Sequence, residues 1–179
     1  MSGSANHRAL ALAIVSYPST LEPLFEDIAQ RLAQSVGPTF ALERCQDPGE
    51  LLFLVRRWHR RGRSVTRLDL HGHGAGGEFK LGDALLFSSD GTGYGVATKL
   101  GPLLARGAQL RLLGCRTATE GLWRRGDGAR RSGEALLRDL EARLRGGRTV
   151  WGTTDYLGPR HLAGDGLTET GARLLRRAG

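Results

Sequence analysis

Short apolar runs alternate along the chain with segments in which apolar residues return every third or fourth position. Residues 10–16 read as a first buried strand. Ser19 is a candidate cap for a helix over 21–36, which places Leu21, Leu24, Ile28, Leu32 and Val36 on one face and ends at Gly37-Pro38. Residues 40–44 form a short second strand. Asp47 is the expected N-cap of a helix carrying Leu51, Leu52, Leu54, Val55 and Trp58, with Arg56 to Arg63 gathered near its C-terminal end, where positive charge suits the helix dipole. A third strand over 65–70 runs into a glycine-rich turn, and 78–87 alternates around Gly82-Asp83 as a hairpin lying off the main sheet. A helix near 96–105, a strand over 109–114, a helix around 134–144, a strand over 148–153 and a closing helix over 167–177 complete the pattern. Strands that alternate with amphipathic helices predict an α/β three-layer sandwich: a mostly parallel central sheet with helices on both faces. No internal repeat or second domain is visible, so residues 1–179 read as one domain.

Composition narrows the function classes. The chain has 179 residues, 40% hydrophobic and 25% charged, which excludes a disordered tail or a collagen-like repeat. Lysine plus arginine is 26 against 18 acids, a formal charge of +8, which raises a basic binding face. The excess is nearly all arginine, since Lys80 and Lys99 are the only lysines, and in a Leu-, Ala- and Gly-rich chain this reads partly as base composition. Aromatic residues are only 6%, few for a base-stacking platform, so a nucleic-acid partner is disfavoured.

Two cysteines, Cys45 and Cys115, make neither a disulfide framework nor a zinc spacing, and a reducing cytoplasm is the expected compartment. The apolar run after Arg8 is at the minimum for a secretory core and lacks a following cleavage site, so it reads as strand. No stretch approaches the ~20 apolar residues of a membrane helix.

Gly72-His73-Gly74-Ala75-Gly76-Gly77 has the letters of a dinucleotide fingerprint but is followed by alternating strand rather than a helix that could hold a pyrophosphate. Gly91-Thr92-Gly93-Tyr94-Gly95 lacks a third glycine at the right spacing and any Gly-Lys-Ser/Thr, and reads as a crossover loop. His73 and Cys115 are the informative pair. Each lies just past the C-terminal end of a strand, the edge of an open parallel sheet where active sites collect. If their strands are neighbours, a nucleophilic thiol and a proton carrier project into one crevice, with Gly74 and Gly114 allowing close approach of a substrate backbone. A buried, inert cysteine and a merely hydrogen-bonded histidine are the plainer alternatives. A metal site from His71, His73 and Cys115 lacks a ligand to complete a tetrahedron, so neither a metal nor another cofactor is expected.

The blocks Arg67 to Asp83, Leu110 to Cys115 and Val150 to Asp155 together resemble the caspase-like cysteine peptidases, a clan that includes caspases, metacaspases, gingipains, clostripain and separase. The likeness is nearest to small bacterial CHAT-type domains, in which a hydrophobic strand ends in His-Gly, a hairpin reading like Leu-Gly-Asp follows, and a later strand ends in Gly-Cys. The resemblance runs over residues 10–155 in element order, with the residue match confined to those blocks. It implies a caspase-haemoglobinase-like fold and a dyad of His73 as general acid/base and Cys115 as nucleophile, with the Gly74 and Cys115 amides as oxyanion hole. Leu113-Gly114 depart from metacaspases, which carry acidic residues just before the cysteine.

For substrate choice, Asp155 is the position expected to take a basic side chain, through a planar carboxylate–guanidinium pair. Its alternative is to cap the turn at 156–159, and Arg116 keeps selection of an acidic side chain open. Arg124-Arg125 and Arg130-Arg131 offer sites for self-cleavage in the connection after Cys115, or for binding a polyanion such as an inositol phosphate. The resulting expectation is a cytoplasmic cysteine endopeptidase acting on protein or peptide after a basic residue, without a membrane partner, of a kind often wired into bacterial defence. A catalytically silent scaffold of the same fold and a basic polyanion- or nucleic-acid-binding module are the alternatives, and the sequence sets no oligomeric state.

Overall fold

The computed structural model describes residues 8–20, 22–119, 122–124, 130–177 and 179. The elements run β1 (Arg8–Ser16), α1 (Pro23–Ala33), β2 (Phe40–Cys45), α2 (Pro48–Arg60), β3 (Arg63–His71), β4 (His73–Ala75), β5 (Glu78–Leu81), β6 (Ala84–Ser88), α3 (Tyr94–Leu100) and β7 (Leu104–Leu113). They continue with β8 (Leu122–Arg124), β9 (Arg130–Ser132), α4 (Gly133–Leu144), β10 (Thr149–Thr153), β11 (Leu162–Ala163), β12 (Gly166–Leu167), α5 (Glu169–Ala172) and β13 (Leu175–Arg177).

The architecture is α/β. Six strands form the main sheet in the order β13-β10-β7-β3-β1-β2, all parallel except β13, which pairs antiparallel with β10. Side chains alternate across a strand, so each strand feeds two layers. Leu10, Leu12 and Ile14 of β1, Leu68 and Leu70 of β3 and Leu110 and Leu112 of β7 pack with Leu51 and Val55 of α2, Leu100 of α3 and Leu140 of α4. Ala13 and Val15 of β1 and Leu113 of β7 face the other way, against Phe25, Ile28 and Leu32 of α1 and against Leu157 and Leu162. Near the middle of that second face the layer is polar: Asp69 and Arg111 are register partners on β3 and β7 and form a buried bidentate ion pair. Burying such a pair is tolerable because the fork satisfies both oxygens.

Local chemistry accounts for several boundaries. Asp47 caps α2 as expected, Oδ1 accepting from Gly49 N at 2.6 Å and Glu50 N at 3.2 Å. The expected cap at Ser19 is not used; Pro23 opens α1 and Glu22 is its N-cap residue, while Ser19 N donates to Asp83 Oδ2 at 2.9 Å. The helix expected over 96–105 stops at Leu100, because Gly101-Pro102 turn the chain into a single 3-10 turn before β7 begins at Leu104. The closing helix over 167–177 is overturned: after the short α5 the chain becomes β13, with Thr153, Gly152 and Trp151 of β10 opposite Leu175, Arg176 and Arg177. An otherwise open edge of β10 outweighs the weak helical spacing of Leu167 and Leu174. Among the described residues no helix is long and apolar enough to cross a membrane.

Candidate active site

β3 and β7 are adjacent and parallel, with His71 opposite Leu113, so the segments that follow them leave the sheet side by side at its C-terminal edge. The chain after His71 folds into β4, which pairs antiparallel with β5 and, through it, with β6, making a three-stranded sheet off the main one. The hairpin agrees with the sequence expectation; its third strand, which carries His73, does not announce itself in a stretch of alternating glycines.

The two ends meet backbone to backbone. A methyl group added at Gly74 would lie 2.6 Å from the Cys115 carbonyl oxygen and 3.0 Å from its nitrogen, and one added at Gly114 would lie 2.7 Å from Gly74 N and 2.9 Å from Gly72 O. The space left by these glycines is therefore taken by the protein's own backbone. That corrects the expectation that Gly74 and Gly114 leave room for a substrate chain.

The turn holding Cys115 is pinned from β10. The buried Thr117 hydroxyl lies 3.1 Å from Leu112 O, 3.3 Å from Gly114 O and 3.0 Å from the Thr153 hydroxyl, which itself donates to Gly114 O. Ala118 N donates to Thr153 O at 2.8 Å and Arg116 N to Asp155 O at 3.3 Å. Arg116, directly after the cysteine, sits at φ 52°, a left-handed conformation that costs a non-glycine residue about 1–2 kcal/mol. Thr117 and Thr153 were not singled out by sequence, since a threonine near a strand end carries no signal until its partners are known.

Cys45 and Cys115 are both free thiols, in different states. Cys45 is buried, donates to Asp47 O at 3.0 Å, and is pushed up to about 12 by burial and then by Glu50. Cys115 is partly exposed. Desolvation also raises its pKa, and Asp155 adds to the rise, while a hydrogen bond from the Leu157 backbone and the Arg116 charge act against it. The resting form at neutral pH is the thiol.

His73 reaches the same edge, but its ring is engaged elsewhere. Nε2 lies 2.9 Å from each oxygen of the Glu22 carboxylate, and the ring meets Phe25 edge-on with centroids 5.0 Å apart. Among the described residues no hydrogen bond joins His73 to Cys115. Glu22 is a contact that sequence reasoning missed, although Glu22-Pro23 at a helix start is a legible pair: a residue before proline is driven to extended backbone, here φ −112° and ψ 115°.

A cavity of about 280 Å³ opens beside His73, lined by Gly74, Ala75, Gly76, Glu78, Lys80 and Arg131; Cys115 is not part of its wall. Arg131 is buried, with Nε 2.9 Å from Glu78 Oε1, and its guanidinium also contacts Asp90 and the Ser88 hydroxyl. One of the arginines expected to offer a self-cleavage site is thus held inside the fold. Arg125 lies outside the described residues.

Asp155 is exposed and does two things at once. Its Oδ1 accepts from Tyr156 N at 2.8 Å, the turn-capping role, and lies 3.7 Å from Arg116 Nε. His71 is distant from this chemistry in character: it is buried, held neutral down to about pH 4 by desolvation, and its Nδ1 has no hydrogen-bond partner among the described residues. Among the described residues no group of three or more His, Cys, Asp or Glu side chains is placed to hold a metal ion.

Many arginines are tied to acids: Arg44 to Glu26, Arg57 to Glu43, Arg67 to Asp69 and Asp165, and Arg177 to Glu141. These pairs neutralise individual arginines, while the net charge of +8 is the excess of bases over acids that pairing leaves. No protein-family model, no curated protein and no solved structure matches the chain.

Proposed function

We propose that the protein is a cysteine endopeptidase of caspase-like type, with Cys115 as nucleophile and His73 as general acid/base. The observation that carries the reading is the backbone contact between Gly74 and Cys115, which brings a partly exposed thiol and an imidazole to one edge of a parallel sheet. The hairpin after the histidine strand and the mostly parallel sheet support the same family likeness.

Chemically, the thiol proton passes to His73 as Cys115 Sγ attacks the substrate carbonyl carbon. The tetrahedral oxyanion lies toward the Gly74 and Cys115 amides. The C–N bond then breaks, His73 gives its proton to the leaving amine, and a thioester remains. Water attacks the thioester, giving one proton to His73 as the C–S bond breaks, and that proton returns to the sulfur. The thiol–imidazole hydrogen bond belongs to the substrate complex, since catalytic hydrogen bonds in free enzymes are often long or unformed. Asp155 is the proposed partner of a basic side chain before the cut, which requires it to exchange Arg116 for the substrate. Self-cleavage in the connection after Cys115 remains part of the proposal at arginines other than the buried Arg131. Mass spectrometry of incubated protein tests it: fragments ending at those arginines support it, and a single intact mass removes it.

A second reading, a silent scaffold of the same fold, is favoured by the raised Cys115 pKa and by the engagement of His73 with Glu22. Cleavage profiling on a peptide library separates the two. The peptidase reading predicts cuts after arginine or lysine that vanish in Cys115→Ala; the scaffold reading predicts no cleavage by either protein.

A further inference from the structure

We propose that Glu22 is a positioning residue for His73, fixing which ring nitrogen faces the Cys115 side of the site. The catalytic meaning of this role rests on the peptidase reading, whereas the geometry does not.

The contact is well defined for a side chain from another element. Both Glu22 oxygens lie 2.9 Å from Nε2. A carboxylate only accepts, so Nε2 carries the proton and, in the neutral ring, Nδ1 keeps the lone pair. Nδ1 is then the nitrogen able to take a thiol proton. Three features hold the arrangement. Pro23 keeps Glu22 extended, α1 begins at that point so its N-terminal dipole favours the carboxylate charge, and Phe25 packs against the imidazole in a T-shaped contact. Lys80 is the register partner of His73 on β5 and lines the same cavity.

The His73 and Glu22 side chains are 45% and 35% exposed, so solvent screens their charge interaction. Orientation and tautomer, rather than charge, are what Glu22 supplies. An amide oxygen that can turn freely toward Nε2–H should therefore do much of the same work.

The experiment compares wild type, Glu22→Ala and Glu22→Gln, with the imidazole nitrogens observed by 15N NMR and cleavage kinetics on an arginyl peptide. The expected result is an Nε2–H tautomer in wild type and Glu22→Gln and a mixture in Glu22→Ala. Turnover kcat should fall about 100-fold in Glu22→Ala at nearly constant KM, with at least tenfold recovery in Glu22→Gln. A merely structural contact would leave the tautomer and the kcat-to-KM split unchanged. The NMR reading needs no turnover, so the two failures are separable. An Nε2–H tautomer lost in Glu22→Ala, with no cleavage by wild type, sinks the peptidase reading and keeps the positioning role. Wild-type cleavage with tautomer and kcat indifferent to Glu22→Ala overturns the role itself.

Discussion

Arg116 is bound to Asp155 twice over: its amide donates to the Asp155 carbonyl at 3.3 Å, and its guanidinium Nε lies 3.7 Å from the carboxylate. This pair flanks Cys115 and acts on it with opposite signs, Arg116 favouring the thiolate and Asp155 the thiol.

The first prediction concerns thiol reactivity. Because burial raises the Cys115 pKa, its alkylation by iodoacetamide should keep accelerating beyond about pH 9 rather than level off below it. At pH 8, Asp155→Asn should speed alkylation and Arg116→Ala should slow it, each by about 2- to 5-fold given how exposed both groups are. In the folded protein Cys45 should stay unlabelled. Peptide mapping after timed alkylation checks all of these.

Gly74→Ala should destabilise the fold by about 1–3 kcal/mol, because its methyl would meet the Cys115 backbone rather than a movable side chain. Urea unfolding measures the cost. A change within about 0.5 kcal/mol would mean that the two strand ends are not in contact in solution.

His71 makes stability depend on pH. Its pKa is lowered to about 4 in the fold, from an unfolded value of 6.5, so between these limits the unfolded chain binds more protons. Stability contributed by the neutral ring is complete above pH 6.5 and is lost as pH falls to about 4, a total of about 3 kcal/mol. His71→Gln should flatten the denaturation midpoint across that window, while wild type declines.

Arg131→Met should destabilise by about 1–3 kcal/mol, since it removes the guanidinium that lies 2.9 Å from the buried Glu78 carboxylate and also contacts Asp90 and Ser88. Asp90 should titrate higher in the variant, because the hydrogen bond to Arg131 holds it well below the ordinary carboxylate range. Thermal melts and carboxylate NMR titration test the two halves separately.

What the sequence discloses follows the range of the interaction. Asp47 caps α2 through contacts within three residues, and the leucines of α4 follow from local periodicity. The Gly82 turn is legible because Gly82, at φ 62°, needs a residue without a side chain. The approach of the chain after β3 to the chain after β7, at Gly74 and Cys115, follows from strands placed side by side, a regularity of parallel sheets. The closing strand β13 is not local: its conformation is decided by the open edge of β10 and by Arg177 pairing with Glu141, whose Oε1 is 2.5 Å from Arg177 Nη2. Glu22, Thr117 and Thr153 are hidden for the same reason. Each acquires meaning only from a partner tens of residues away, and each is an ordinary polar residue by itself.

The most direct trial of the proposed chemistry is intact-mass spectrometry after incubation with a peptidyl-arginine chloromethyl ketone. Wild type should gain the mass of one inhibitor less HCl, mapped to Cys115, and Cys115→Ala should gain none. Absence of an adduct on wild type, with Cys115 still open to iodoacetamide, would contradict the peptidase account.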